Sequence, residues 1–96
     1  MTKEPRVVGP DGIGRTPEQD RKINEAFAAT FNAECAKVVL DYLKSITINR
    51  VCGPEGTDTF LRHLEGQRSI VALISTRVEQ GIKQKKEELN ERNNSK

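Results

Sequence analysis

The residues able to do chemistry are few in this 96-residue chain, and their spacing is poor for it. His63 is the single histidine, and Cys35 and Cys52 are the only thiols. A metal site needs several His, Cys or carboxylate ligands converging, and the two cysteines stand 17 apart with no CxxC, so no metal is expected. A Cys–His nucleophilic pair fares no better. Cys35 falls on an apolar helical face, where a buried thiol keeps its proton, and Cys52 in its loop has only Arg50 nearby to activate it. Gly12-Ile13-Gly14 is not a nucleotide loop, because no strand precedes it and Pro17 stands where a third glycine belongs. Lys83, Lys85 and Lys86 make one basic cluster, but Glu87, Glu88 and Glu91 follow at once and no aromatic lies among the lysines to stack a base. No catalytic residue and no cofactor is expected. The sharpest local signal is Leu64-Glu65-Gly66-Gln67-Arg68. A glycine inside a helix costs about 1 kcal/mol against alanine, which makes sense where a neighbouring backbone or ring comes close. Arg68 beside an apolar strip either pairs with a carboxylate (Asp41, Glu34 or Glu65 of the chain, or one from a neighbour) or packs its stem and keeps its head wet.

The elements that position these residues are helical. Thr16-Pro17-Glu18-Gln19 is a helix start, with Thr16 as cap, Pro17 first and Gln19 completing a capping box. Ile23, Phe27 and Phe31 recur every four residues, a step that drifts around a 3.6-residue helix, so a break is expected near Thr30–Asn32 with Asn32 as cap. A second stretch runs from Ala33 to about Thr47, its core face read as Cys35, Val39, Tyr42 and Ile46 with Val38 and Leu43 at the flanks. Residues 49–56 are a loop. A last helix, 58–90, is capped by Thr57 or Asp58. Leu61, Leu64, Val71, Ile74, Val78, Ile82 and Leu89 form one apolar row along it, and Gly66, Ile70 and Leu73 a second. Two rows imply two things to touch: the rest of the chain and, as the candidate for the second row, another chain. The expected core is Phe27, Phe31, Val39, Leu43, Leu64, Val71 and Ile74.

Residues 1–15 hold two of the four prolines and three of the seven glycines, and read as a flexible or extended arm anchored at most by Val7, Val8 and Ile13. Residues 16–82 form the helical domain, and 83–96 a charged helical tail that frays. The fold class is therefore all-α, a helical hairpin or small helical bundle with an extended N-terminal arm and a charged C-terminal helix end. The hydrophobic share, 34%, is thin, with no Trp and one Tyr, so a monomer is marginal and a homo-oligomer is expected. Apolar runs are too short for a membrane span or a secretory signal. A net charge of +2 is too even for an electrostatic nucleic-acid binder. Interface candidates are Gly66, Arg68, Ile70 and Leu73 on the last helix and Val7 and Val8 in the arm.

One set of residues has a familiar arrangement: Phe27-(x3)-Phe31, then Val39-Leu40 with Leu43 three later, then Glu65-Gly66-Gln67-Arg68 opening Ile70-Val71-Ala72-Leu73-Ile74. The pattern, across roughly residues 23–80, resembles a family of small helical proteins of short-tailed bacteriophages, encoded among head and internal-virion genes. The chain departs from it where the family tends to have a glycine, at Cys35 or Ala36. The resemblance implies a non-enzymatic virion structural or assembly protein whose partners are the portal, capsid or internal proteins. It further implies a location in the virion, and in the host cytoplasm during assembly. The alternative is a small phage protein that binds a host factor or nucleic acid.

Overall fold

The computed structural model describes residues 6–51, 53–54 and 56–94. The first five residues of the expected arm, Cys52 and the last two residues of the tail lie outside the described residues. Three helices dominate: α1 (Pro17–Thr30), α2 (Glu34–Ser45) and α3 (Asp58–Asn94), preceded by two short strands, β1 (Val7–Val8) and β2 (Gly14–Arg15). The protein is all-α in class.

α1 starts as its sequence dictates. Thr16 Oγ1 accepts from the Gln19 N–H at 3.3 Å, and Gln19 Oε1 accepts from the Thr16 N–H at 3.2 Å, a complete capping box with Pro17 behind it. The break after it falls where the four-residue step runs out, at Phe31. Its cap is not Asn32, however: α2 begins one residue later from an extended Ala33, with no side-chain cap. At the other break Thr57 is the cap, its Oγ1 accepting from the Phe60 N–H at 3.1 Å. α3 then runs 37 residues without interruption, about 55 Å at 1.5 Å per residue.

The 7–15 stretch, expected as a flexible or extended arm, holds a hairpin, pairing Val7 with Arg15 and Val8 with Gly14. Its turn is Gly9-Pro10-Asp11-Gly12. The Gly12 N–H donates to the Gly9 carbonyl at 2.9 Å, the Gly9 N–H to Ile13 at 3.1 Å, and Gly12 takes φ +80°, the left-handed position such three-residue loops require. The Asp11 carboxylate accepts from both Arg15 guanidinium nitrogens, at 3.0 and 2.7 Å, and from the Ile13 N–H. Those bonds, Arg15 first, hold the Asp11 carboxyl well below the usual carboxylate range and raise Arg15 in return.

α1 and α2 pack on different parts of α3. α1 lies against residues 77–88, through Asp20 and Asn24 to Arg77, Asn24 to Gln84 and Arg21 to Glu88. α2 packs toward the other end, where Leu43, Ile46 and Thr47 stand over Arg62 to Val71. Among the described residues the buried apolar side chains are Leu40, Leu64, Val71 and Val78. Of the expected core, Leu64 and Val71 are buried, while Phe27, Phe31, Leu43 and Ile74 are half-buried. Val39 is an error of that expectation: it is 53% exposed. The face read as the core side of α2 points to solvent over most of its length, with Cys35, Val38 and Tyr42 open and Ile46 at the edge of the contact with α3. The residues turned inward are Ala36, Leu40, Leu43 and Thr47, each one position on and so about 100° further round the helix. Thr47 can be buried because its hydroxyl donates to the Leu43 carbonyl at 2.5 Å.

The result is an open molecule. Its accessible surface is 7616 Å², against about 5,500 Å² for a compact monomer of its mass. Its radius of gyration is 17.3 Å, against about 12.5 Å for a compact chain of this length.

Candidate functional site

Two surfaces and one buried node emerge from this packing. The node is Arg77, whose side chain is 2% exposed. Its Nη1 donates to Asp20 Oδ1 at 2.6 Å and to Asn24 Oδ1 at 2.8 Å, and Asn24 in turn donates to Gln84 Oε1 at 2.6 Å. Gly9 of the hairpin turn closes the other side: a Cβ there would sit 2.5 Å from Arg77 Nη2. One guanidinium thus ties the hairpin, α1 and α3 together. Sequence reasoning missed it, although a signal existed. Arg77 continues the row Gly66, Ile70, Leu73 by four residues, and Asp20 and Asn24 share one face of α1 at the same spacing.

The close approach expected at Gly66 occurs instead at Gly81. Nothing lies within 4 Å of where a Gly66 Cβ would be. At Gly81 a Cβ would overlap the Asn24 carbonyl oxygen and come within 2.6 Å of the Ala28 Cβ, so here the backbone of α1 rests directly on α3. A stability test at position 66 follows. Gly66→Ala is expected to raise stability by about 0.5–1 kcal/mol, since it gains helix propensity in open space. Urea denaturation followed by circular dichroism measures it, and a loss of stability would mean that Gly66 is packed after all.

Arg68 is held within its own chain. Its Nε donates to the Thr47 carbonyl at 2.8 Å, its Nη1 to Glu65 Oε1 at 2.6 Å and its Nη2 to the Arg50 carbonyl. It thereby ties the turn that follows α2 to α3, and it shares the Thr47 carbonyl with the Arg50 N–H, which donates to it at 3.3 Å. Arg50 also stacks over the Phe60 ring, 5.1 Å from its centroid.

The first surface begins at Gly66 and Ile70, which line an open groove with Leu43, Ile46 and Val71 between α2 and α3. Ile70 is 60% exposed. Through Ile46 the groove joins the solvent-facing stripe of α2: Val38 (66% exposed), Val39 and Tyr42 (60%). Leu73 is half-buried, toward the end of the row that α1 covers. Val7 and Val8 are exposed on the hairpin, apart from this groove.

The second surface is a cleft of about 680 Å³ at the other end of the molecule, among the last turns of α1, Lys37 at the start of α2, and residues 81–89 of α3. Ile82 and Leu89 continue the apolar row of α3 past the end of α2, and there the row lies open.

Among the described residues no group of His, Cys, Asp and Glu is placed to hold a metal ion, and no helix is long and apolar enough to cross a membrane. Among the described residues His63 has a hydrogen-bond partner in Gln67, at 3.3 Å across one helical turn. Compared with known protein families, curated proteins and solved structures, the chain matches none of them.

Proposed function

We propose that this chain acts by holding other protein chains, as a non-enzymatic structural or assembly component, and that its setting is a phage particle. The observation that carries the protein-binding part is the solvent-facing apolar stripe of α2, Val38, Val39, Tyr42 and Ile46, continuous with Ile70 across the groove. Large contiguous apolar patches on small chains mark interaction sites. The surface excess over a compact monomer, about 2,000 Å², exceeds the roughly 800 Å² that one partner contributes to a standard interface. The likeness of residues 23–80 to the phage family supports the setting, with portal, capsid or internal proteins as partners, and the thin apolar supply supports a homo-oligomer.

Tyr42→Glu tests the surface. Its ring is exposed on the monomer, so helix content is expected to stay as in the parent chain, while melting loses its dependence on protein concentration. Self-association at micromolar concentration, read by light scattering, is expected to be lost. A parent chain that is monomeric there, or a Tyr42→Glu variant that associates equally well, overturns the reading of this surface. Mass spectrometry of purified virions tests the setting: stoichiometric copies support it, and absence from the particle favours the host-factor or nucleic-acid alternative.

A further inference from the structure

We infer that the cleft between α1 and the 81–89 stretch of α3 is a second docking site, and that its occupant is an acidic amphipathic segment of a different protein. The inference rests on the protein-binding reading above but uses a separate surface.

The chemistry of the cleft is apolar below and cationic at the rim. Ala28, Phe31, Ile82 and Leu89 supply its apolar lining, with Ile82 and Leu89 about half exposed. Lys85 and Lys86 stand between those two along α3, and Lys37 reaches in from α2. No salt bridge engages Lys85 or Lys86 among the described residues, and Lys37 meets only an exposed Glu34 at 3.5 Å. Two carboxylates share the cleft. Glu88 is neutralised by Arg21 at 2.9 Å and Lys37 faces Glu34, which leaves Glu25 against Lys85 and Lys86.

That charge pattern decides between occupants. A second copy lying antiparallel on this stripe would match Ile82 with Leu89 and thereby set Lys85 against Lys86 of the other chain. A parallel copy would set each lysine near itself. Like charges in register disfavour both pairings. A segment with apolar side chains one helical turn apart and carboxylates between them fills the lining and meets the lysines. Because Glu87, Glu88 and Glu91 follow the lysines and cancel their long-range field, the attraction acts at contact, where salt weakens it.

The test uses three fluorescein-labelled peptides and anisotropy. The first carries Leu at every third or fourth position with Glu between; the second has Lys for Glu; the third has Ser for Leu. The first peptide is expected to bind, more weakly as salt rises, and the other two not. Lys85→Glu is expected to weaken its binding by about tenfold. Arg62→Glu, an equal charge change at the groove on the opposite end, is expected to leave it unchanged. The Lys85→Glu/Lys86→Glu variant is expected to bind the second peptide in place of the first. Equal binding of the acidic and basic peptides, or equal loss in Arg62→Glu and Lys85→Glu, overturns the inference. Tyr42→Glu separates the two surfaces. If that variant loses self-association while no variant alters peptide binding, the cleft assignment fails alone. If it binds the first peptide yet self-associates like the parent chain, the cleft stands and the α2 reading fails.

Discussion

Asp20→Ala is expected to destabilise the fold by about 3–5 kcal/mol, among the largest losses of any single substitution on the α1 face. The reason is asymmetry of burial. Arg77 is almost wholly enclosed, while the Asp20 side chain is 18% exposed. Removing the carboxylate leaves an almost wholly enclosed guanidinium with the Asn24 side chain as its hydrogen-bond acceptor and the Asp11 carboxylate of the turn as the nearby negative charge. Removing the guanidinium instead leaves an aspartate that can hydrate. Arg77→Met, which keeps an unbranched stem in the same space, should therefore cost less than Asp20→Ala. Chemical denaturation of the two variants measures the difference. Equal small losses, below about 1 kcal/mol, would show that the pair behaves as a surface ion pair. Because Asp20 also sits in the first turn of α1, where negative charge is favoured by the helix dipole, helix content reports that smaller contribution separately.

The second large effect is at Gly81. Gly81→Ala gains about 1 kcal/mol of helix propensity yet is expected to destabilise by a net 1–3 kcal/mol. The new methyl meets the Asn24 backbone carbonyl and the Ala28 side chain, and neither is a flexible side-chain end that can turn aside. α1 must lift off α3, which opens the Arg77 node beside it to water. The loss should thus be non-additive with Asp20→Ala, since both act on one contact. The same substitution at Gly66, on the same helix, is expected to have the opposite sign. That contrast guards against a general effect of alanine in α3; a stabilised Gly81→Ala would mean that the two helices are not in backbone contact.

Much of the local structure was legible in the residues themselves. The capping box at Thr16 to Gln19, the break after Phe31, the Thr57 start and the long α3 all follow from interactions within a few residues of sequence, which do not depend on what packs where. The thin apolar supply implied a small core and a marginal monomer, though not the open shape. The hairpin at 7–15 was written in Pro10-Asp11-Gly12, a turn signature that the search for longer periodicities passed over.

Which faces meet was not legible. α2 carries an apolar stripe at Cys35, Val39, Tyr42 and Ile46 and a smaller one at Leu40, Leu43 and Thr47, and periodicity favours the larger. The tertiary structure turns the smaller one inward, burying Leu40 and Thr47, and Arg68 hydrogen-bonds the carbonyls of Thr47 and Arg50 just past the helix end. α3 carries two glycines, each able to mark a close approach, and only the position of α1 shows that Gly81 is the one that does. Arg77 reads as an ordinary surface charge until Asp20, Asn24 and Gly9, 53 or more residues away in sequence, enclose it. Hydrogen bonds one turn apart are fixed by helix geometry. The roll and crossing of one helix on another are fixed by side chains far apart in sequence, and no period within a single helix encodes them.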